Sequence, residues 1–388
     1  MPGFAGFIHL DLSIALQVIA LGFIGGVLSG FIGSGGAFFM TPGMMNLGVP
    51  GVIAVGSNIT HKFGKALVGS RRHKELGHVD RRLALYMLAT SFVGIRLAVW
   101  INGLLFSQAD SHGAGSSSAA GDLYISVVFV TSLSFVSVSM LRDVVRTLRQ
   151  GGHGRANGPA GPGRLAGFLS KLNVPPMIYF KVSETRVSLW LILVVGLAVG
   201  FMAGTIGVGG FLGVPAMIYL FGVPTAVAAG TELYLAVYMG GFGALSYGWQ
   251  GHVDIRLTLL LYGGSLIGVI LGAYGTKVVK EIMIRLATGG VIIICVVSRL
   301  AAMPVYLNEL GVVSFDVRYN TMLNAVSKGL LFASGTLGLV MVLFLVSKAH
   351  RQRLQVQASL QMLRPASDRG DQAPRRLDLN HAEVRLKT

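Results

Sequence analysis

Nine stretches of the chain carry few charges and are long enough to cross a bilayer core as helix, which takes about 20 residues. They cover 12–47, 50–70, 83–106, 123–141, 187–221, 225–248, 257–276, 282–301 and 322–346. Backbone groups in lipid must pair internally, and these runs show no short alternating strands, so the pattern predicts helices rather than a barrel. The first run is longer than one span and is interrupted by glycine. No Lys or Arg precedes it, so it does not read as a cleaved signal, which needs a basic leading segment. The expected fold is an all-α polytopic membrane protein.

Composition agrees with the pattern. Of 388 residues, 53% are hydrophobic and only 12% charged, against roughly 25% charged in soluble domains. That excludes an ordinary soluble enzyme and a disordered chain. A single cysteine, Cys295, excludes an internal disulfide and a cysteine metal cluster.

The formal net charge of +16 would point to nucleic acid if its placement were ignored. Of the 32 basic residues, 25 fall in four connecting segments: 71–82, 142–186, 277–285 and 348–388. The alternating connections 107–121, 249–256 and 302–320 contain only Arg256 and Arg318. Basic residues between spans mark the cytoplasmic side. The charge therefore predicts topology and contact with lipid headgroups, not nucleic acid. Counting back from the basic tail gives a cytoplasmic C-terminus and an external N-terminus.

An internal repeat runs through the chain at one offset of 174 residues. Gly77-His78-Val79-Asp80 returns as Gly251-His252-Val253-Asp254, and Gly48-Val49-Pro50 as Gly222-Val223-Pro224. Gly30, Gly33, Gly35 and Gly36 map onto Gly204, Gly207, Gly209 and Gly210, and Ser91-x-x-Gly94 onto Ser265-x-x-Gly268. The first GHVD lies in a basic connection and the second in a nearly neutral one, so the copies are expected to be inverted. Transporters built that way hold substrate where their repeats meet, commonly at discontinuous helices. The expected organisation is repeat 1 over 1–141, a basic cytoplasmic linker over 142–186 and repeat 2 over 187–301. An external connection and terminal transmembrane helix follow over 302–348, then a basic cytoplasmic tail over 349–388. The linker reads as partly disordered, with Phe168, Leu169, Leu172 and Ile178 forming an amphipathic piece.

Each copy opens on a glycine-rich break. The outer glycines at GxxxG spacing, Gly22-Gly26-Gly30 and Gly196-Gly200-Gly204, read as close helix packing. The inner set, Gly33, Ser34, Gly35 and Gly36 with Gly207, Gly209 and Gly210, reads as a broken helix whose freed amides hold an anion. No hydrolase elbow, phosphate loop or zinc motif is present in the sequence, and no cofactor or metal is expected.

These features resemble the sulfite exporter TauE/SafE family, also called the toluene sulfonate uptake permease family. The resemblance rests on paired glycine breaks each followed by proline (Pro42, Pro215), the GVP turns, Gly56-Ser57 and Gly230-Thr231, and the GHVD connections. It implies a multi-pass permease of the bacterial inner membrane for sulfite, organosulfonates or related small anions. A permease for sulfate or a carboxylate, and a non-transporting membrane subunit that docks a soluble partner, are the alternatives. Homo-oligomer formation is left open by the sequence.

Ionisable residues within spans are functional candidates by default. Asn58, His61 and Lys65 share one helical face at spacings of three and four and suit a small oxyanion. Lys62 reads as snorkelling to the headgroups. Arg96 sits mid-span, as a ligand for the anion or the partner of Glu232. Glu232 aligns with Asn58 across the repeat and is the candidate for proton coupling. Arg299 and Lys328 read as anchors at the outer ends of spans. Asp80 and Asp254 are expected to cap the helices that follow them.

Overall fold

The computed structural model describes residues 10–32, 37–107, 119–149, 174–279, 281–314 and 316–362. Repeat 1 contributes α1 (Leu12–Ile32), α2 (Ala37–Asn46), α3 (Gly51–Glu75), α4 (Arg81–Ser107) and α5 (Ala119–Arg149). A hairpin, β1 (Met177–Phe180) and β2 (Thr185–Ser188), precedes repeat 2. Repeat 2 contributes α6 (Leu189–Ile206), α7 (Gly210–Tyr219), α8 (Thr225–Trp249), α9 (Ile255–Val278) and α10 (Glu281–Glu309), and α11 (Val317–Met362) closes the described chain. Ile178, from the expected amphipathic piece, lies in β1; Phe168, Leu169 and Leu172 fall outside the described residues.

Among the described residues, seven helices are long and apolar enough to cross a membrane: α1, α4, α5, α6, α9, α10 and α11. The two other expected spans are α3 and α8, each 25 residues long. They are less apolar, carrying Asn58, His61, Lys62 and Lys65 on α3 and Glu232 with several glycines and tyrosines on α8. The outer helices supply the apolar surface, with Val93, Leu97, Phe135, Ile267, Ile270 and Val340 among the exposed large side chains. Such a surface suits lipid rather than water. All three tryptophans, Trp100, Trp190 and Trp249, are exposed as well.

The 174-residue offset maps α1–α4 onto α6–α9 almost residue for residue, and packing between the copies is reciprocal. In α1, Gly22, Gly26 and Gly30 abut the backbone at Leu261, Ser265 and Val269 of α9. In α6, the equivalent Gly196, Gly200 and Gly204 abut Met87, Ser91 and Ile95 of α4. Both seams run parallel. A Cβ on these glycines would collide with facing main chain, so the GxxxG spacing does what the sequence predicts, letting backbones touch. Between α3 and α8 the direction reverses: Gly243 meets Ile59, Gly240 meets Phe63 and Gly69 meets Leu233.

The polar connections are reciprocal too. The Asp80 N–H donates to Thr231 Oγ1 at 3.0 Å, and the Asp254 N–H to Ser57 Oγ at 3.1 Å. Asp80 accepts from the Leu83 N–H and caps α4, while Asp254 accepts from the Arg256 N–H and caps α9. Asp80 does a second job: its other oxygen accepts from the N–H and hydroxyl of Ser183 in the hairpin turn. This fastens the end of the linker beside the 71–82 connection.

Candidate functional site

The break in repeat 2 is built by Gly207, which ends α6 in the left-handed region at φ 78°. A side chain there would be strained by its own backbone and would press on Asn58 and Thr41. The chain then reverses, and α7 folds back so that Gly209 and Gly213 lie against Val199 and Ala203 of α6. The break is therefore a hairpin of helices. Gly33, Ser34, Gly35 and Gly36, its counterparts in repeat 1, lie outside the described residues.

A helix that stops inside a protein leaves its last carbonyls without partners, and here side chains from three other helices supply them. The Gly204 carbonyl accepts from the Tyr247 hydroxyl at 2.6 Å, and the Ile206 carbonyl from Thr41 Oγ1 at 3.0 Å. Asn102 Nδ2 reaches the Thr205 carbonyl at 3.4 Å and donates to the Tyr247 hydroxyl at 2.7 Å. At the other side of the break, the Leu212 and Gly213 N–H groups donate to the Gly209 carbonyl, which leaves the N–H groups of Gly210 and Phe211 as those without an acceptor in their own helix. Phe38 of α2 and Phe211 of α7 meet edge to face at 4.8 Å between centroids, joining the two break regions.

Against this break stands the polar stripe of α3. Asn58 is fully buried and donates to Thr41 Oγ1 at 2.8 Å, so α3, α2 and the end of α6 form one chain of hydrogen bonds. His61 is buried, with Nε2 2.7 Å from Ser265 Oγ of α9 and its ring 4.7 Å from that of Tyr262. Lys65 donates to Ser29 Oγ of α1. Tyr262 enters α3 itself. Its hydroxyl accepts from the Gly64 N–H at 3.0 Å and donates to the Thr60 carbonyl at 3.1 Å. An uninterrupted helix would pair those two groups with each other. A Cβ at residue 64 would collide with that hydroxyl, so the insertion requires glycine.

Three expectations are corrected. Lys62 does not reach for headgroups: it is buried and its Nζ lies 3.5 Å from Glu232 Oε1 of α8. Arg96, expected to serve the anion or Glu232, is exposed on α4. Ser91, Gly94, Ile95 and Ala98 turn the packed face of α4 toward α6, which carries Arg96 round to the outside. Mid-span depth was legible for Arg96, but its face depended on the Ser91-x-x-Gly94 pattern. Arg299, expected as an anchor, is fully buried in a second polar cluster on α10, whereas Lys328 is exposed.

Asn58, His61, Lys65 and Glu232 are thus gathered around α3 and α8, beside Gly207, Gly209 and Gly210. Thr41, Tyr262, Ser265, Ser29, Asn102 and Tyr247 complete the site, and of these the sequence singled out only Ser265, as a repeat marker rather than a site residue. All are uncharged and within spans, where nothing separates a partner of a polar group from a packing residue. Among the described residues, no group of three or more His, Cys, Asp or Glu is arranged to hold a metal ion.

The family model for the sulfite exporter TauE/SafE matches residues 18–299. The probable membrane transporter protein YjnA of Bacillus subtilis (strain 168) is 25% identical over 264 residues, covering 67% of this chain and 89% of that protein. YunE of the same organism, also a probable membrane transporter protein, is 24% identical over 266 residues, covering 66% and 86%. No solved structure matches the chain.

Proposed function

The chain belongs to the sulfite exporter TauE/SafE family and is a multi-pass membrane transporter, and from that premise we propose that it carries a small sulfur oxyanion, sulfite or an organosulfonate, across a bacterial inner membrane. One observation supports this reading most. Two ammonium groups, Lys62 and Lys65, are drawn into the bundle against a single carboxylate, Glu232. The excess positive charge sits beside a helix break whose N-terminal amides favour an anion. Charge inside a membrane protein is costly and is kept where a substrate or coupling ion uses it. Substrate-binding roles fall to Asn58, His61, Lys65 and the glycine breaks, and proton coupling to Glu232. Protonation of Glu232 would release Lys62 to the anion. Arg96, on the exposed face of α4, has no part in this reading.

The same proposal makes the repeats inverted in the membrane. Its support is the antiparallel contact of α3 with α8, because a two-fold axis relating antiparallel membrane helices runs in the membrane plane. The basic segments agree. The hairpin of the linker is bonded to Asp80 in the 71–82 connection, and Gly275 near the end of α9 touches Val346 of α11. Both contacts suit one basic, cytoplasmic end of the molecule, with the N-terminus external and the C-terminus inside.

The test is uptake and efflux of radiolabelled sulfite, a small sulfonate and sulfate in proteoliposomes, with and without a pH gradient. Gradient-dependent flux of sulfite or sulfonate is the expected result. Flux of sulfate or a carboxylate alone would transfer the site to that anion. No flux of any would overturn transport of these solutes and favour a subunit that docks a partner, whose function should then be lost on deleting 355–388.

A further inference from the structure

Arg299 is the largest fully buried side chain described, 1% exposed, and no carboxylate among the described residues lies within 4.0 Å of it. Its partners are neutral. One terminal nitrogen donates to Asn46 Oδ1, and the other lies 3.4 Å from the Tyr306 hydroxyl and 3.5 Å from Met45 Sδ. Ser327 Oγ of α11 joins at 3.3 Å from Asn46 Oδ1. Two donors in this cluster, Arg299 Nε and Asn46 Nδ2, are buried with no acceptor among the described residues. A buried guanidinium held by neutral groups and the unused donors beside it each carry a large desolvation cost. Both are deficits that an anion removes.

Asp122 of α5 lies within electrostatic reach of Arg299, and Glu309 of α10 acts in turn on Asp122. Asp122 is already engaged: its Oδ1 accepts from the Gly51 N–H at the start of α3, at 2.7 Å. We propose that Arg299, Asn46, Tyr306 and Ser327 form a second binding site for one small oxyanion. The ligand class rests on the transport reading above; the site rests on the arginine. Helix α2 connects the two sites, since Thr41 contacts Asn58 and Asn46 contacts Arg299. Those positions are separated by five residues, about 7.5 Å of helix rise. An anion at Arg299 is therefore one step from the cluster around α3, as a staging position on the same path.

The experiment is equilibrium binding of ³⁵S-sulfite and, separately, ³⁵S-sulfate to the purified full-length chain, with chloride holding ionic strength constant. Arg299→Gln should lose one bound anion per chain, and Lys65→Met should retain it. Arg299→Lys keeps the charge without the planar fork and should bind at least about tenfold more weakly. Should Arg299→Gln fail to fold, Asn46→Ala and Ser327→Ala leave the arginine charged and should each weaken binding about tenfold. Unchanged stoichiometry and affinity across these variants, or a single anion abolished by Lys65→Met alone, overturns the second site. Wild-type chain that binds neither anion overturns it too. Arg299-dependent binding without flux would sink the transport reading and leave the site standing, and flux without such binding would do the reverse.

Discussion

Helices α3 and α8 occupy equivalent positions in the two repeats, have equal lengths and cross each other, yet their chemistry is opposite. On α3, Asn58, His61, Lys62 and Lys65 face inward; on α8 the same positions are Glu232, Leu235, Ala236 and Met239. The difference extends to their neighbours. Ser91 of α4 donates to the Gly196 carbonyl across its seam with α6. Its counterpart Ser265 on α9 instead lies 2.7 Å from His61. Tyr262, whose hydroxyl bonds the Gly64 N–H and the Thr60 carbonyl of α3, corresponds to Leu88 in the other copy. The two copies share a symmetric frame of touching backbones. The charges belong to one inner helix and its contacts, with Glu232 the one charged contribution of α8.

The deepest cut into this asymmetry is the Lys62–Glu232 pair. Removing one partner, by Lys62→Met or Glu232→Gln, should cost about 3–5 kcal/mol because the other charge is left buried alone. The double variant should recover most of that loss in thermal unfolding while flux stays abolished in all three. A double variant no more stable than the singles would mean the two residues do not compensate each other. Recovered flux in the double would remove Glu232 from coupling.

A smaller effect is expected where the two halves are alike. Gly94→Ala and Gly268→Ala sit at equivalent points of the α4–α6 and α1–α9 seams, and each pushes a methyl into facing backbone. Both should destabilise, by roughly 1–3 kcal/mol. The α9 face is lined by Gly264, Gly268 and Gly272, whereas α4 offers Thr90, Gly94 and Ala98, and Thr90 adds a 2.7 Å bond to the Leu193 carbonyl. A Gly94→Ala protein that melts like wild type would show that hydrogen bonds rather than close approach hold the α4–α6 seam. The serines separate seam from site more finely. Ser91→Ala should cost about 0.6 kcal/mol, typical of hydrogen bonds between membrane helices, with flux unchanged. Ser265→Ala should leave melting nearly unchanged and lower flux, since it takes the partner from His61.

The sequence carried the frame almost completely. The 174-residue offset, the GxxxG spacings and the two capping aspartates are local patterns, and each is read without knowing which helices meet. The site was legible only in part. Asn58, His61, Lys65 and Glu232 stand out as polar groups in apolar runs, but their partners lie on other helices. Lys62 and Lys65 are three residues apart, and only the approach of α8 decides that Lys62 is the one drawn to Glu232. Arg96 failed for the same reason in reverse, because depth along α4 says nothing about which side faces α6. Arg299 was hidden by its place near the end of an apolar run, where an anchor and a buried cation look alike.

The smallest change with a diagnostic outcome is Tyr262→Phe. It deletes one oxygen, keeps the ring against His61, and allows the Gly64 N–H and Thr60 carbonyl to pair directly. A side chain inserted between such groups is a recognised cause of helix bending, and Tyr262 does this beside three of the site's charged or polar residues. Global stability should therefore change by no more than about 0.6–1.7 kcal/mol. Amide exchange at Gly64 should slow as the ladder closes. If α3 must flex at Gly64 when the two repeats move past each other, maximal flux falls while the concentration for half-maximal flux holds. If the hydroxyl only satisfies a defect in the helix, both parameters stay at their wild-type values. A rise in the half-maximal concentration alone would assign Tyr262 to anion contact. Leu88→Tyr, its mirror in the first copy, should not reproduce the insertion, because residue 238, equivalent to Gly64, is a tyrosine and offers no room.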